Sequence, residues 1–155
     1  MKVQSRPEHG SRAVKVSSRA EYGLRALVDL ALHYGEGFVQ SHDIAVRQGL
    51  PESYLNQIMT SLRRAGVVTS KRGPAGGHSL TRPPAEITLR EAFGVLEEGA
   101  SPWWCVEVDD PDCAYAPGCG VRPIWMAMKA AAEGVLDRLT LQDISRTTAR
   151  APARK

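Results

Sequence analysis

The chain has 155 residues, enough for one domain with an ordinary hydrophobic core, or for a small domain with an appendage. Its formal net charge of +3 hides an uneven distribution, because residues 41–82 are mainly basic and residues 97–112 are acidic. No apolar run is long enough to cross a membrane and no signal-peptide pattern is present, so we expect a cytoplasmic protein rather than a membrane or secreted one.

The beginning of the chain divides into a polar stretch and a helix. Residues 1–17 are basic and polar and show no apolar period, so we expect a flexible N-terminal extension. From Ser18 to Tyr34, apolar residues recur at spacings of four and three, which predicts a helix with one buried face. This helix opens a domain that we predict to span residues 18–98.

Two short helices separated by a tight turn follow, which is the pattern of a helix-turn-helix. The first spans residues 41–48, with Ser41 as its cap and Gly49 at its end. The second runs from Pro51 to Gly66, with short hydrogen-bonding side chains near its start and arginines near its end. Such a face suits base edges and phosphates, although a plain amphipathic helix also leaves a polar face to solvent. The residues of this helix that we expect to contact DNA are Ser53, Asn56, Gln57 and Arg63.

A β-hairpin is predicted immediately after these helices. Val67–Ser70 and His78–Thr81 are short β-favouring segments, and a glycine-rich turn joins them. Lys71 and Arg72 stand at the root of the turn, where they can contact the phosphate backbone or enter the minor groove. Glycine-rich hairpins occur in many proteins, but one that follows a helix-turn-helix indicates a winged DNA-binding domain.

Residues 99–122 form an acidic loop that holds all three cysteines of the chain. A helix predicted from Leu89 to Glu98 precedes it, with Thr88 and Glu91 as a capping box. Prolines and glycines keep the loop free of helix and strand, and thiolates gathered in one loop suit an iron–sulfur cluster or zinc. Small buried hydrophobic side chains are the alternative, while the odd number of cysteines disfavours a disulfide framework. The candidate metal ligands are Cys105, Cys113 and Cys119.

A long helix and a short one complete the chain. The long helix is predicted from Pro123 to Leu139 and carries an apolar seam at heptad spacing. The seam consists of Trp125, Met128, Ala132, Val135 and Leu139. A short helix begins at Thr140, so we assign 123–146 to dimerisation and 147–155 to a basic, disordered tail. The seam favours a symmetric homodimer, because helix-turn-helix proteins generally read paired half-sites; packing against the protein's own core is the alternative.

Four features taken together resemble the Rrf2 family of winged-helix transcription regulators. They are Ser18–Leu27, Gln48–Gln57, Arg72–Gly77, and the three cysteines followed by Trp125. The resemblance covers about residues 16 to 146. It implies a mainly α fold with a small β-hairpin wing and a long C-terminal dimerisation helix. It also implies a regulator of transcription rather than an enzyme.

The same resemblance implies a cofactor and a partner. Cluster-sensing members of the family, of the IscR, NsrR and RirA types, hold an iron–sulfur cluster (2Fe–2S or 4Fe–4S) on three cysteines near the dimer interface. By that likeness the chain is a homodimeric repressor that binds a double-stranded DNA operator with two half-sites. Its promoter affinity is then expected to respond to iron, redox state or nitric oxide. The DNA-reading positions of the family correspond here to Ser53, Asn56, Gln57 and Arg72.

The fourth cluster ligand is where the sequence departs from the family. IscR-like members have a histidine three residues after the last cysteine, whereas Arg122 stands there in this chain and cannot ligate a metal. Glu21 stands where some cluster-binding relatives place a carboxylate that reaches the partner subunit's cluster, so it is our candidate. Its alternative role is to stabilise the start of its own helix. Further candidates are the loop carboxylates of Glu107, Asp109, Asp110 and Asp112.

An alternative function keeps this fold and replaces the cluster with zinc or with thiol oxidation. Zinc sites usually contain closely spaced pairs of ligands. Intervals of seven and five residues between successive cysteines fit that preference poorly. The cluster therefore remains the leading hypothesis.

The wing carries one more departure from the family. His78 follows its glycines, at a position where Tyr or Phe is commoner among members. From the sequence we expect no functional consequence of this histidine.

Overall fold

The computed structural model describes residues 16–97, 104–107, 113, 115 and 118–150. Within these ranges the chain has a mainly helical fold with one antiparallel hairpin, which confirms the predicted fold class. The helices are α1 (Ser18–Leu32), α2 (Ser41–Gln48), α3 (Glu52–Arg64), α4 (Leu89–Leu96), α5 (Trp104–Glu107), α6 (Arg122–Arg138) and α7 (Leu141–Arg150). The strands are β1 (Val68–Lys71) and β2 (Gly77–Leu80), and a 3₁₀ turn spans Pro84–Glu86.

The hydrophobic core lies between α1, α2, α3, α4 and α7. Each of these helices contributes one apolar face, and side chains such as Leu27, Ile44, Leu62 and Leu141 are fully buried. Burying a side chain of this size stabilises the fold by about 1.5–3 kcal/mol relative to leaving it exposed. The core therefore fixes α2 and α3 on α1 and leaves the outer faces of both helices in solvent.

The start of α1 agrees with the sequence prediction. The Ser17 hydroxyl accepts a hydrogen bond from the Ala20 amide at 3.0 Å, which caps the helix. The helix ends at Leu32 rather than at Tyr34, because the chain turns there towards α2. One apolar face of α1 packs on the core, as the spacing of its apolar residues predicts.

The bounds predicted for α2 are confirmed, but its predicted cap is wrong. Gly49 ends the helix with a φ of 64°, a conformation that glycine adopts without steric cost. Gln40, not Ser41, occupies the capping position, and its side chain makes no capping hydrogen bond. Ser41 is the first helical residue, and its hydroxyl bonds to the ring of His78 instead.

The helix α3 and the hairpin form where predicted, with ends shifted by one or two residues. Pro51 precedes α3 rather than opening it, and the helix ends at Arg64. β1 lies one residue later than predicted and β2 one residue earlier. The register of the hairpin places Ser70 opposite His78.

The helix α4 begins as predicted and ends two residues early, at Leu96. The Thr88 hydroxyl accepts a hydrogen bond from the Glu91 amide at 3.2 Å, which confirms the cap. The Glu91 carboxylate forms an ion pair with Arg82. At the end of α4, Leu96 packs so closely on Gly23 of α1 that a Cβ at that glycine would overlap its side chain.

The region 99–122 was predicted to lack regular structure, but its described residues include one helical turn. This turn is α5, and it carries Cys105. The prolines and glycines of the region lie on either side of these four residues, so they do not prevent a single turn. The candidate ligands Asp109, Asp110 and Asp112 lie outside the described residues.

The helix α7 is longer than the sequence predicted. It continues to Arg150, so residues 147–150 are helical where a disordered tail was expected. Reciprocal hydrogen bonds start it: the Thr140 amide donates to the Asp143 carboxylate at 2.8 Å, and the Asp143 amide donates to the Thr140 hydroxyl at 3.4 Å. The helix packs along α1 and buries Leu141. The long helix α6, in contrast, matches its prediction to within one residue at each end.

No helix among the described residues is long and apolar enough to cross a membrane. Residues 1–15, most of the predicted N-terminal extension, and residues 151–155 of the predicted tail lie outside the described part of the chain. Their flexibility stays a prediction.

Candidate nucleic-acid interface and cysteine segment

The helix α3 turns its apolar face to the core and its polar face to solvent. Its buried residues are Leu55, Ile58, Met59 and Leu62. Four of its exposed residues form a continuous surface, because residues three and four apart share one side of a helix. We call this surface the recognition face; it consists of Ser53, Asn56, Gln57 and Arg63. Thr60 lies on the same side, but its hydroxyl donates to the Asn56 carbonyl at 2.9 Å and is committed to the helix.

The turn between β1 and β2 carries the two cations predicted for the wing. Lys71 ends β1, Arg72 follows it, and both side chains are exposed; we call them the wing cations. The turn closes tightly, since the Gly76 amide donates to the Gly73 carbonyl at 2.9 Å. Only residues 65–67 separate the hairpin from α3, so the wing cations and the recognition face belong to one connected unit.

The residues at the start of α2 hold the hairpin from its other side. The Val39 amide donates to the His78 carbonyl at 2.9 Å, and the His78 amide donates to the Val39 carbonyl at 2.8 Å. The side-chain amide of Gln40 donates to the Pro74 carbonyl, inside the turn, at 3.0 Å. The wing is therefore attached both to the end of α3 and to the beginning of α2.

An ion pair between the buried Asp29 and the exposed Arg47 holds α2 on α1. Asp29 is 1% exposed and accepts hydrogen bonds from Arg47 at 2.9 and 2.7 Å and from Gln48 at 3.1 Å. The hydrogen bond from Arg47 to Asp29 raises the pKa of the arginine. Sequence reasoning missed this pair, because a buried carboxylate is stable only with such partners and these lie on another helix. The available signal was a carboxylate in the middle of the apolar run Leu27–Leu30.

The three cysteines are free thiols, and each is partly buried. Cys105 lies on α5, which packs against α6, and Cys119 lies three residues before α6. A turn in which the Gly118 amide donates to the Tyr115 carbonyl at 3.2 Å immediately precedes Cys119. In the described part of the chain, no three His, Cys, Asp or Glu side chains are close enough together to hold a metal ion. The chain therefore has three free thiols, but among the described residues these thiols do not form one metal-binding group.

The candidate fourth ligand, Glu21, lies on the first turn of α1. Its carboxylate accepts a hydrogen bond from Arg25, one turn later, at 2.7 Å, and both side chains are exposed. At the same end of α1, the Ser17 amide donates to the Glu97 carboxylate at 3.0 Å. Glu97 is the last residue described before the cysteine region, so the start of α1 contacts the point where the chain enters that region.

The helix α6 has no fully buried residue along its length. Arg90 of α4 holds one side of it through ion pairs with Glu133 and Asp137. Elsewhere large apolar side chains stay half exposed: Ile124 by 55%, Met126 by 52% and Val135 by 45%. Of the predicted seam, Trp125 and Met128 are partly buried, and Ala132, Val135 and Leu139 are exposed. Ile124 and Val135 lie on the same side of α6, because eleven residues make about three helical turns, so that side presents an uncovered apolar surface.

Comparison with known sequences adds a family to this geometry. The model of the Rrf2 family, described as an iron-dependent transcriptional regulator, matches residues 16–147. The chain is 35% identical to Protein rrf2 of Nitratidesulfovibrio vulgaris over 139 residues, which cover 90% of this chain and 92% of the relative. It is 36% identical to the HTH-type transcriptional regulator CymR of Bacillus subtilis over 135 residues, 87% of this chain and 92% of CymR.

Solved structures show the same likeness in three dimensions. The structure of IscR from T. potens matches with a TM-score of 0.73 and 36% identity, and the match covers 94% of this chain and 97% of that one. The structure of CymR, the global cysteine regulator of B. subtilis, matches with a TM-score of 0.71 and 37% identity, over 86% of this chain and 98% of that one.

Proposed function

Because the chain belongs to the Rrf2 family of transcriptional regulators, we propose that it is a homodimeric DNA-binding repressor whose promoter affinity responds to an iron–sulfur cluster on its cysteines. Its relatives are regulators of transcription and not enzymes, and DNA is the partner of the family. The proposal has three parts: the DNA contacts, the homodimer and the group that the cysteines hold.

The recognition face and the wing cations support the DNA contacts. An α-helix fits the major groove, and amide or hydroxyl side chains such as those of Ser53, Asn56 and Gln57 can bond to base edges. Arg63, near the end of α3, suits a phosphate. The exposed turn lets the wing cations follow the backbone or enter the minor groove. Bases are then read by α3, and the register on the duplex is set by the cations.

The uncovered side of α6 supports the homodimer. A second copy of this helix offers the same apolar seam, so the two surfaces are complementary to each other by symmetry. Paired recognition helices then reach two half-sites about one helical turn apart on the operator. Burial of Ile124 and Val135, which lie on one side of α6, in such an interface would remove apolar surface that is half exposed in one chain.

The observation that carries the sensing part is the set of three free thiols between α4 and α6. Cysteine thiolates are the usual ligands of iron–sulfur clusters, so the donor set fits such a cluster in its chemistry. Cys105, Cys113 and Cys119 would hold it; among the described residues they do not form one metal-binding group. When bound, the cluster supplies iron that reacts with oxidants and nitric oxide.

A fourth ligand completes the donor set, and Glu21 is our candidate. A carboxylate is held more weakly by iron than a thiolate is, so loss of the cluster would begin at that position. In the described chain the Glu21 carboxylate bonds to Arg25. If Glu21 bound a partner subunit's cluster, its carboxylate would leave Arg25 and bind iron instead. The contacts of α1 would then depend on whether the cluster is present.

The helix α4 provides the physical link between the cysteines and the recognition face. It packs against α3 on one side and against α6 on another, through Arg90 with Glu133 and Asp137. Its last residue, Leu96, docks on Gly23 just before the cysteine region. A change in the cysteine segment that displaces α4 would therefore also displace α3. Contacts that differ in this way between two states of the chain are what coupling between two sites requires.

A second candidate keeps the fold and replaces the cluster with zinc or thiol oxidation. The likeness to CymR, whose structure is named as that of a global cysteine regulator, favours it. Partly buried free thiols remain reachable by small oxidants, so reversible oxidation is chemically open to this chain. Membership of the family does not distinguish the two candidates.

Anaerobic purification of the full chain distinguishes them. We expect a coloured protein with iron and acid-labile sulfide, and loss of both in Cys113→Ser. Tyr115→Phe is the matched control, because it changes an exposed residue of the same segment without removing a thiol. A colourless protein with stoichiometric zinc, or one whose DNA affinity changes only on thiol oxidation, would contradict the cluster and support the second candidate.

A further inference from the structure

We propose that His78 is a positioning residue that fixes the wing on the first helix of the helix-turn-helix and so determines how the wing cations meet DNA. The inference rests on the proposed DNA contacts. It gives a role to a residue from which the sequence alone led us to expect none.

Both ring nitrogens of His78 have hydroxyl partners, and the two partners lie on different elements. Nε2 is 2.8 Å from the Ser41 hydroxyl on the first turn of α2, and Nδ1 is 2.7 Å from the Ser70 hydroxyl on β1. A neutral imidazole has one donor and one acceptor nitrogen, while a serine hydroxyl can either donate or accept. Both hydrogen bonds therefore form in either tautomer, and the ring bridges the hairpin and the helix-turn-helix.

The backbone brings the ring to this position. His78 forms the paired backbone hydrogen bonds with Val39 described above, and Gly77 permits this approach with a φ of 138°. A Cβ at Gly77 would overlap the Val39 carbonyl. Ser70 and His78 are opposite each other in the hairpin, so their side chains share one face, the face towards α2. Lys71 is the next residue after Ser70, so the clamped position leads directly into the wing cations.

The surroundings favour a neutral ring. Burial lowers the pKa of His78, and the nearby positive charge of Arg63 lowers it further. Arg63 belongs to the recognition face, so the bridge lies within electrostatic reach of the end of α3 as well as in contact with α2. A neutral ring can accept a hydrogen bond from one serine without repelling Arg63.

The wing needs such a bridge because a two-stranded hairpin alone is marginally stable in water. His78 is not part of the buried hydrophobic core, so loss of its ring bonds leaves that core intact. The hairpin could then pivot about the Val39 pairing and displace Arg72 relative to the recognition face. The expected consequence is a loss of DNA affinity at nearly unchanged stability.

The first test compares full-length variants on a duplex that the wild-type chain enriches from a random-sequence pool, at several salt concentrations. His78→Phe keeps a ring of similar shape and removes both side-chain hydrogen bonds. We expect about tenfold weaker binding and a shallower salt dependence, because a displaced wing makes fewer phosphate contacts. Ser79→Ala, whose side chain lies on the opposite face of β2, is the matched control and should bind like wild type. Thermal unfolding checks that each variant is folded.

A double-mutant cycle with Arg72→Ala tests whether His78 acts through the wing. We expect the double variant to bind about as weakly as Arg72→Ala alone, since a displaced wing has no Arg72 contact left to lose. Additive penalties with a wild-type salt dependence in His78→Phe would overturn the positioning role. Should His78→Phe unfold, Ser41→Ala removes one of the two bonds from the side of α2, and wild-type affinity of that variant would overturn the role equally.

The outcomes separate this inference from the proposed function. Wild-type affinity of His78→Phe together with weak binding by Arg72→Ala overturns only the positioning role. Wild-type affinity of Arg72→Ala overturns the wing contact and the positioning role together. Failure of the wild-type chain to enrich any duplex contradicts the proposed DNA contacts themselves.

Discussion

Two parts of the chain differ in whether their side chains find partners within the same chain. The DNA-binding half consists of α1 to α4, the hairpin and α7, and the cysteine half consists of α5, α6 and the three thiols. In the first, apolar faces meet in one core, and the buried Asp29 and the ring of His78 have hydrogen-bond partners. In the second, the thiols are free, and α6 keeps apolar side chains half exposed. We infer that the first half folds by its own contacts, whereas the second is built to receive another copy of the chain and a metal cluster.

The largest expected effect comes from a charge placed on the exposed seam of α6. Val135→Glu would bury an unpaired carboxylate in the proposed interface, so we expect the dimer to weaken by about a hundredfold or more. Analytical ultracentrifugation over a range of concentrations measures this. Ala130→Glu is the matched control, because Ala130 is exposed and lies roughly on the opposite side of the helix. A folded Val135→Glu protein that remains a dimer at wild-type concentrations would show that the seam is not the interface.

The next effect tests the ion pair between Asp29 and Arg47 in the DNA-binding half. Asp29→Ala removes the carboxylate that holds Arg47 and Gln48, so we expect the free energy of unfolding to fall by about 1–3 kcal/mol. DNA affinity should fall too, because α2 also carries the attachment of the wing at Ser41. Asp43→Ala, which removes an exposed carboxylate from α2, should change stability by less than about 0.5 kcal/mol. Equal losses in the two variants, measured by urea unfolding, would mean that the pair does not hold α2.

The smallest effect is a dependence of stability on pH that arises from His78. Its pKa is lowered in the folded chain from the ordinary value of 6.5, so the unfolded chain binds more protons just below that pH. The contribution of His78 is therefore present above pH 6.5 and is lost as the pH falls towards the lowered pKa. Urea unfolding between pH 7.5 and 5 should show less loss of stability in His78→Gln than in wild type. A greater loss of stability in His78→Gln than in wild type would contradict the neutral, bridging ring.

The sequence predicted the DNA-binding half closely because its signals are local. Apolar residues at helical spacing marked the buried face of α1, Thr88 capped α4, and Gly49 ended α2. Each of these features depends on residues within one or two turns of each other. These features can therefore be predicted from the local sequence without knowledge of tertiary contacts.

The features that the sequence missed depend on residues far apart in the chain. Asp29 is buried only because Arg47 reaches it from another helix, and Ser41 left its expected capping role because His78 lies beside it. The length of α7 follows from its packing along α1, and its own residues resemble a polar tail. In the cysteine half, local rules predicted α6 to within one residue at each end, but before it they predicted only interruptions, and α5 shows that one helical turn fits between them.

Titration of one DNA duplex with one anaerobic protein sample, before and after removal of iron and sulfide, tests the link between the two halves most directly. The duplex is the one that the wild-type chain enriches from a random-sequence pool. We expect the dissociation constant to change by about tenfold or more, as coupling through α4 requires, and Cys113→Ser to stay at the cluster-free value under both conditions. Equal dissociation constants for the loaded and the cluster-free protein would contradict control of DNA binding by the cysteines.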